Sequence, residues 1–323
     1  MRLPFASEGT EGTEGTEGTE GTEGTEGTEG TSGLAAYAGG LTSPVLANAL
    51  LTTNGELTRS YFGDISNPDT TISLLDPNVA LGRWSRAVRA QLYTFELVSG
   101  LTFTGAPPGP ATLAAPGTTW QVVIQRPSYE TGTQPDNLKA ALQGVLDMAA
   151  LRADRLNEIL TQVAVPYSFF AMLLNLQPGR HRRTYELMAT ALILSGIAVM
   201  KFKHHFRVRR PADHSPLIQP VILTPSHGAY PMGHASQSNI LAKVLTDLVD
   251  SKLGGDTAVQ LQRLADRISE NRVIAGVHFE EDVTAGTTLG QALGTRFLAL
   301  AKTTATPTTA LQWLWTQAAA EWA

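Results

Sequence analysis

The sequence predicts an all-α fold, a helical bundle with long connecting loops. Apolar residues recur at three- and four-residue spacing through most of the second half of the chain. Prolines and glycines cluster between those stretches, where they punctuate helices. Only one short run, Trp120–Ile124, has the look of a strand or of an extended segment lying on the helices.

In chain order, residues 34–51 are small and apolar enough for a helix, and 78–101 carry a clearer stripe through Leu81, Trp84, Val88, Leu92, Phe95 and Leu97. Residues 105–119, rich in Pro, Gly, Ala and Thr, predict a long loop. From 138 to 163 the apolar set Leu138, Leu142, Val145, Leu146, Ala149, Leu156, Leu160 and Val163 predicts an amphipathic helix. A shorter apolar helix over 166–176 ends near Pro178-Gly179. Residues 185–204 are apolar nearly all round, so this helix belongs at the centre of the bundle. A proline-rich loop over 211–231 follows, then helices over 235–253, 257–275, 278–301 and 308–322. In the third of these, Gly286, Gly290 and Gly294 recur every four residues, which suits close approach of a neighbouring helix rather than a ligand.

Residues 8–31 are eight copies of Glu-Gly-Thr. With nothing apolar to bury, this acidic stretch reads as a disordered tail over residues 1–32, leaving 33–323 as a single α-helical domain. Net charge is -5, which argues against general nucleic-acid binding, because that needs a basic surface. There is no cysteine, and with it go disulfides, thiolate metal sites and a cysteine nucleophile. The most apolar stretch, 187–200, is short for a membrane span and is flanked by Glu186 and Lys201. A soluble, cytoplasmic protein is the default expectation, with export left open and a homo-oligomer compatible with the sequence.

The chemistry concentrates in residues 203–282, as three islands. Lys203-x6-Arg210-Pro211 supplies two cations, Pro231-Met232-Gly233-His234 a histidine beside a glycine, and Arg272-x5-His278-x3-Asp282 an arginine, a histidine and an aspartate. A tetrahedral oxyanion needs fixed donors and neutralised charge, which arginine forks and a lysine provide. Pro211 disfavours helix at Arg210 and lets it turn inward from a loop. Gly233 stands where a helix begins and its backbone N–H groups are free, so an anion can approach them closely. His234 suits proton transfer near neutral pH. Asp282, one helical turn from His278, can fix that ring's tautomer and leave its other nitrogen to bond a central atom.

Together these islands resemble the motifs of the vanadium-dependent haloperoxidases and the related type-2 phosphatidic acid phosphatase superfamily. The resemblance implies that Lys203, Arg210, Met232, Gly233 and Arg272 form the pocket for vanadate, with phosphate able to occupy the same place. His278 would be the metal ligand, or the phosphate-accepting nucleophile in a phosphatase, His234 the acid/base group and Asp282 the support of His278. His227, seven residues before His234, stands where bromide-using haloperoxidases commonly have a histidine. The expected activity is therefore oxidation of bromide or iodide by hydrogen peroxide with a small organic acceptor. An acid phosphatase and a non-catalytic anion binder or scaffold remain as alternatives. Two positions depart from the pattern: Asn271 stands for serine, and Met232 replaces a serine whose hydroxyl would donate to the anion, where a thioether donates nothing.

Overall fold

The computed structural model describes residues 76–130, 135–164, 167–303 and 305–323, with isolated positions between 45 and 53. The Glu-Gly-Thr repeat and most of the helix expected over 34–51 lie outside the described residues. The chain divides into two compact units, Met1–Gln91 and Leu92–Ala323.

In the first unit, helix α1 (Pro77–Arg83) starts with Asp76 as its cap, whose side chain accepts from the Asn78 N–H at 2.8 Å. The expected single helix over 78–101 is broken: α1 stops at Trp84, and α2 (Arg86–Val98) begins after Ser85. Arg89 donates to the Leu81 carbonyl at 3.1 Å and also to that of Trp84, satisfying groups that the break leaves open.

The second unit is a helical bundle with a small sheet on it. Strands β1 (Thr102–Thr104), β2 (Ala111–Ala114) and β3 (Gln121–Ile124) pair antiparallel in that order, with Leu113 opposite both Phe103 and Val122. β3 is the strand expected at 120–124, whereas β2 forms inside the expected loop. Four residues flanked by proline and glycine carry no periodicity of their own; pairing on both edges imposes the strand. Its alternation is regular, with Ala111 and Leu113 buried. Trp120 anchors the sheet by donating its indole N–H to the Ala292 carbonyl at 2.9 Å.

The helix expected over 138–163 is two helices, α3 (Pro135–Met148) and α4 (Arg152–Thr161), separated by a 3-10 turn at Ala149–Leu151. Next come α5 (Tyr167–Leu174) and α6 (Arg182–Phe206), which is central as expected, with Leu187, Met188, Ala191 and Phe202 buried completely. The segment Arg182–His214 is long and apolar enough to cross a membrane by length and composition, and 61% of its most apolar window is buried. After it stand the one-turn α7 (Pro211–His214), then α8 (Gly233–Leu253), α9 (Gly255–Ile274), α10 (Glu280–Ala301) and α11 (Ala310–Ala320).

Helix α8 packs against α6, α9 and α10. On the α10 side a glycine ladder allows the approach. A Cβ at Gly286 would lie 2.5 Å from the Met232 carbonyl oxygen, and one at Gly290 would lie 2.4 Å from that of Ser236. At Gly294 the nearest atoms belong to Lys243. Gly290→Ala is therefore expected to destabilise the fold by about 1–3 kcal/mol through overpacking, read as a lowered midpoint in urea without a change of slope. Gly294→Ala meets only a flexible side chain and should cost less.

Candidate active site

Three helix ends converge to build the site, and each end has a local cause. α6 closes with Arg207 in the left-handed region (φ 53), its N–H donating to the Lys203 carbonyl at 2.9 Å. Arg210 is extended (φ -86, ψ 160) ahead of Pro211, as residues before proline prefer, and its side chain is buried. α8 begins at Gly233, and the Met232 N–H just before it donates to the Asp282 carbonyl at 2.9 Å.

Arg210 is the hub. Its Nη1 donates to the Val277 carbonyl at 2.8 Å and to His278 Nε2 at 3.0 Å. Its Nε donates to the His227 carbonyl at 3.2 Å, and its Nη2 lies 3.2 Å from His227 Nδ1. Because a guanidinium only donates, His278 Nε2 carries a lone pair, whereas His227 Nδ1 also lies 3.2 Å from the Gly228 carbonyl oxygen, to which it would donate in the other tautomer. Lys203, also buried, donates to the carbonyls of Gly228 and Ala229 at 2.6 Å each, fixing the loop that carries His227.

His278 is not in helix α10, which begins at Glu280 with Phe279 as its cap. The expected pairing with Asp282 holds for a different reason: Asp282 is the third residue of that helix and folds back on its start. Its Oδ2 accepts from His278 Nδ1 at 2.9 Å and from the Phe279 N–H at 3.0 Å. The proton on Nδ1 is thereby fixed, and Nε2 is left as the basic atom. Burial, reinforced by Arg210 and Lys203, pushes His278 well below the ordinary histidine range, so the ring is neutral. Burial lifts Asp282 to about 6 against the pull of its hydrogen bonds and of Lys203 and Arg210.

No motif or periodicity pointed to Tyr129. Its hydroxyl donates to Asp282 Oδ1 at 2.5 Å, completing the carboxylate's partners. It lies on a 3-10 turn, Ser128–Glu130, with no periodicity, held by Glu281, which accepts from the Ser128 N–H at 2.6 Å.

Arg272 and His234 form the other half, both tied to the end of α4. His234 Nε2 donates to the Gln162 carbonyl at 2.8 Å, and Arg272 Nη2 donates to the Ile159 carbonyl at 2.8 Å. Arg272 is otherwise bare: its Nε and Nη1 are buried with no hydrogen-bond partner. Asn271, where the resembled motif has serine, donates to Gln162 Oε1 at 2.9 Å and to Glu158 at 3.1 Å, so it locks α9 onto α4. Among the described residues no hydrogen bond joins this half to His278; the link is electrostatic, since Arg272 and then Lys203 and Arg210 add to the burial that lowers His234 to about 4.

Met232 is completely buried. A Cβ on Gly233 would meet nothing nearer than Val199 Cγ1 at 3.8 Å, so the space above this helix start is open. Among the described residues no group of three or more His, Cys, Asp or Glu side chains could hold a metal ion by itself.

The depressed His234 has a thermodynamic consequence. With a folded value of about 4 against an ordinary 6.5, its contribution to stability is complete above 6.5 and is lost as pH falls through 4. At pH 5 the loss is roughly 2 kcal/mol. Asp282, raised to about 6, works the other way over part of this range, gaining as it is protonated. His234→Gln is therefore expected to narrow the drop in melting temperature between pH 7 and pH 5 in phosphate-free buffer.

No protein-family model and no curated protein matches the chain. Solved structures similar to it include two bacterial enzymes. One is a transmembrane phosphatidylglycerolphosphate phosphatase of the PAP2 type from Bacillus subtilis, 19% identical, with a TM-score of 0.41 over 52% of this chain and 86% of that one. The other is a bacterial vanadium-dependent iodoperoxidase, 20% identical, with a TM-score of 0.41 over 54% of this chain and 51% of that one. In both cases the similarity extends over about half of the present chain.

Proposed function

We propose that the chain is a vanadate-dependent haloperoxidase that oxidises bromide or iodide with hydrogen peroxide. The observation that carries the oxyanion part is Arg272: two buried guanidinium donors without a partner are costly unless an acceptor fills the space before them. The donor set fits a tetrahedral oxyanion. Arg272, Arg210 and Lys203 would offset its charge, the N–H groups at the start of α8 would bond it beside Gly233, and His278 Nε2 would hold its central atom. Bound vanadate supplies Lewis acidity that activates peroxide toward halide.

The remaining work falls to side chains. Asp282 keeps the Nδ1 proton of His278 in place, so that Nε2 presents its lone pair. That lone pair faces Arg210 Nη1, and a central atom held by Nε2 would take the place of this hydrogen bond. His234 is neutral, and with Nε2–H committed to Gln162 its Nδ1 is a base. A neutral imidazole suits removal of a proton from peroxide, whereas a phosphatase needs the ring protonated, a form that the negative charge of a bound oxyanion would favour. In the net reaction halide loses two electrons, giving hypohalous acid, and peroxide is reduced to water.

One observation favours a second reading, an acid phosphatase working through His278. Met232 sits buried beside His234, where an oxidant would convert its thioether to sulfoxide. Protein loaded with vanadate, given peroxide and bromide, is expected to brominate a dimedone-type acceptor somewhere between about pH 4 and pH 8. Failure to brominate, with hydrolysis of an aryl phosphate that disappears in His278→Ala, would establish the phosphatase. Absence of both activities, with no phosphate or vanadate binding by calorimetry, would leave a scaffold.

A further inference from the structure

We propose that the cavity beside the oxyanion pocket is a binding site for an anionic organic acceptor, held through its carboxylate or sulfonate by Arg207 and Arg209. This rests on the haloperoxidase reading for the fate of the acceptor, though not for its binding. The cavity measures about 660 Å³, and Lys203, Arg210 and His227 line the side shared with the site described above. The rest of its wall includes Met200, His204, Arg207 and Arg209.

The charge of this wall is one-sided. Arg207, Arg209 and Arg210 line it together with Lys203, which burial and Arg210 push well below its ordinary value, and the one carboxylate among the lining residues, Asp213, already accepts from the Arg210 N–H at 2.9 Å. In a chain of net charge -5 this is a local concentration of the opposite sign. Neither Arg207 nor Arg209 has a carboxylate partner among the described residues.

The backbone presents the two arginines together. From Arg207 to Arg210 burial alternates, with Val208 and Arg210 inward and Arg207 and Arg209 exposed. Both exposed arginines line the wall of the same cavity. The segment is backed by a second stretch, since the Ala229 N–H donates to the Val208 carbonyl at 2.9 Å, so the pair is mounted on a fixed edge. Arg207 moreover occupies a left-handed position (φ 53), a conformation that glycine adopts more readily. A helix end alone would be better served by glycine.

The wall is not only charged. Met200 is 44% exposed and Pro225 adds apolar surface, which suits the carbon body of an organic anion rather than a bare ion. A ring seated there, with its acid group on Arg207 and Arg209, lies beside His227 at the edge of the site where halide is oxidised.

The test uses three phenols of nearly equal shape: 4-hydroxyphenylacetate, its neutral amide and cationic tyramine. Each is titrated calorimetrically into the full chain kept in excess phosphate. The acetate is expected to bind about tenfold tighter than the amide, and tyramine weakest, with the preference shrinking as salt is raised. Arg209→Ala and Arg207→Gly should each weaken the acetate by about three- to tenfold. Arg207→Gly suits the left-handed backbone, so it should not lower the melting temperature and its loss of binding cannot be assigned to unfolding. Equal binding of acetate and amide, or variants that bind acetate as the wild type does, would overturn the proposal. Arginine-dependent acetate binding in a protein that halogenates nothing would leave this site standing and remove the haloperoxidase reading. Halogenation of the three phenols without charge preference would do the reverse.

Discussion

Arg272→Met is expected to make the anion-free protein more stable and to weaken phosphate or vanadate binding by about two to three decades. Arg272 is 1% exposed, and of its donors only Nη2 is satisfied, by the Ile159 carbonyl. Burial lowers its value to about 10, which still leaves it charged at any working pH. An unpaired buried cation costs several kcal/mol, and an unbranched apolar side chain of similar length removes that cost; a gain of about 1–3 kcal/mol is reasonable. The same substitution deletes two charge-assisted donors, each worth about 1.5–3 kcal/mol to a bound anion. Thermal melts with and without phosphate read both effects together. Wild type should rise with phosphate by mass action, while the variant starts higher and responds little. A variant that melts lower than wild type and gains as much from phosphate would make Arg272 a structural pin for Ile159 and nothing more.

How far the sequence spoke depended on whether a residue's role was written locally. Pro211 after Arg210 and Gly233 before His234 announce a turned-in arginine and an open helix start, and the structure has both. The glycine ladder likewise announced a close helix contact. The relation of His278 to Asp282 was legible as a pair but not as a geometry, because spacing of four suggests a shared helical face, whereas a capping box brings the two together from either side of the helix start. Tyr129 and Gln162 were invisible. Each meets the site across a long sequence separation, through a hydroxyl and a backbone carbonyl that any residue pattern could supply. The strand at 111–114 escaped for the same reason, since its partners, not its residues, define it.

Asp282→Asn is expected to separate binding from turnover. The carboxylate accepts three hydrogen bonds, from His278 and the Phe279 N–H on Oδ2 and from Tyr129 on Oδ1. An asparagine can place its carbonyl oxygen where Oδ2 stands and keep the first two. Its NH2 then faces the Tyr129 oxygen, which has lone pairs and a rotatable hydrogen, so that contact reverses direction instead of being lost. The His278 tautomer and the start of α10 both survive, and only charge is removed. Loss of a negative charge beside Arg210 and Lys203 leaves phosphate binding unchanged or up to about tenfold tighter. His278 Nε2, without the carboxylate behind it, becomes less basic, and turnover should fall by about 10–100-fold. Asp282→Ala differs in kind, because it strands three buried donors at once and should cost about 3 kcal/mol or more of stability. Tyr129→Phe supplies the control: added to Asp282→Asn it removes the reversed contact and should cost further stability, but less than it costs in the wild type, where the bond lost is to a carboxylate. Calorimetry with phosphate and steady-state turnover on the same samples decide the matter. If phosphate binding collapses in Asp282→Asn while the melting temperature holds, the carboxylate orients the anion's donors and does not act through the basicity of His278.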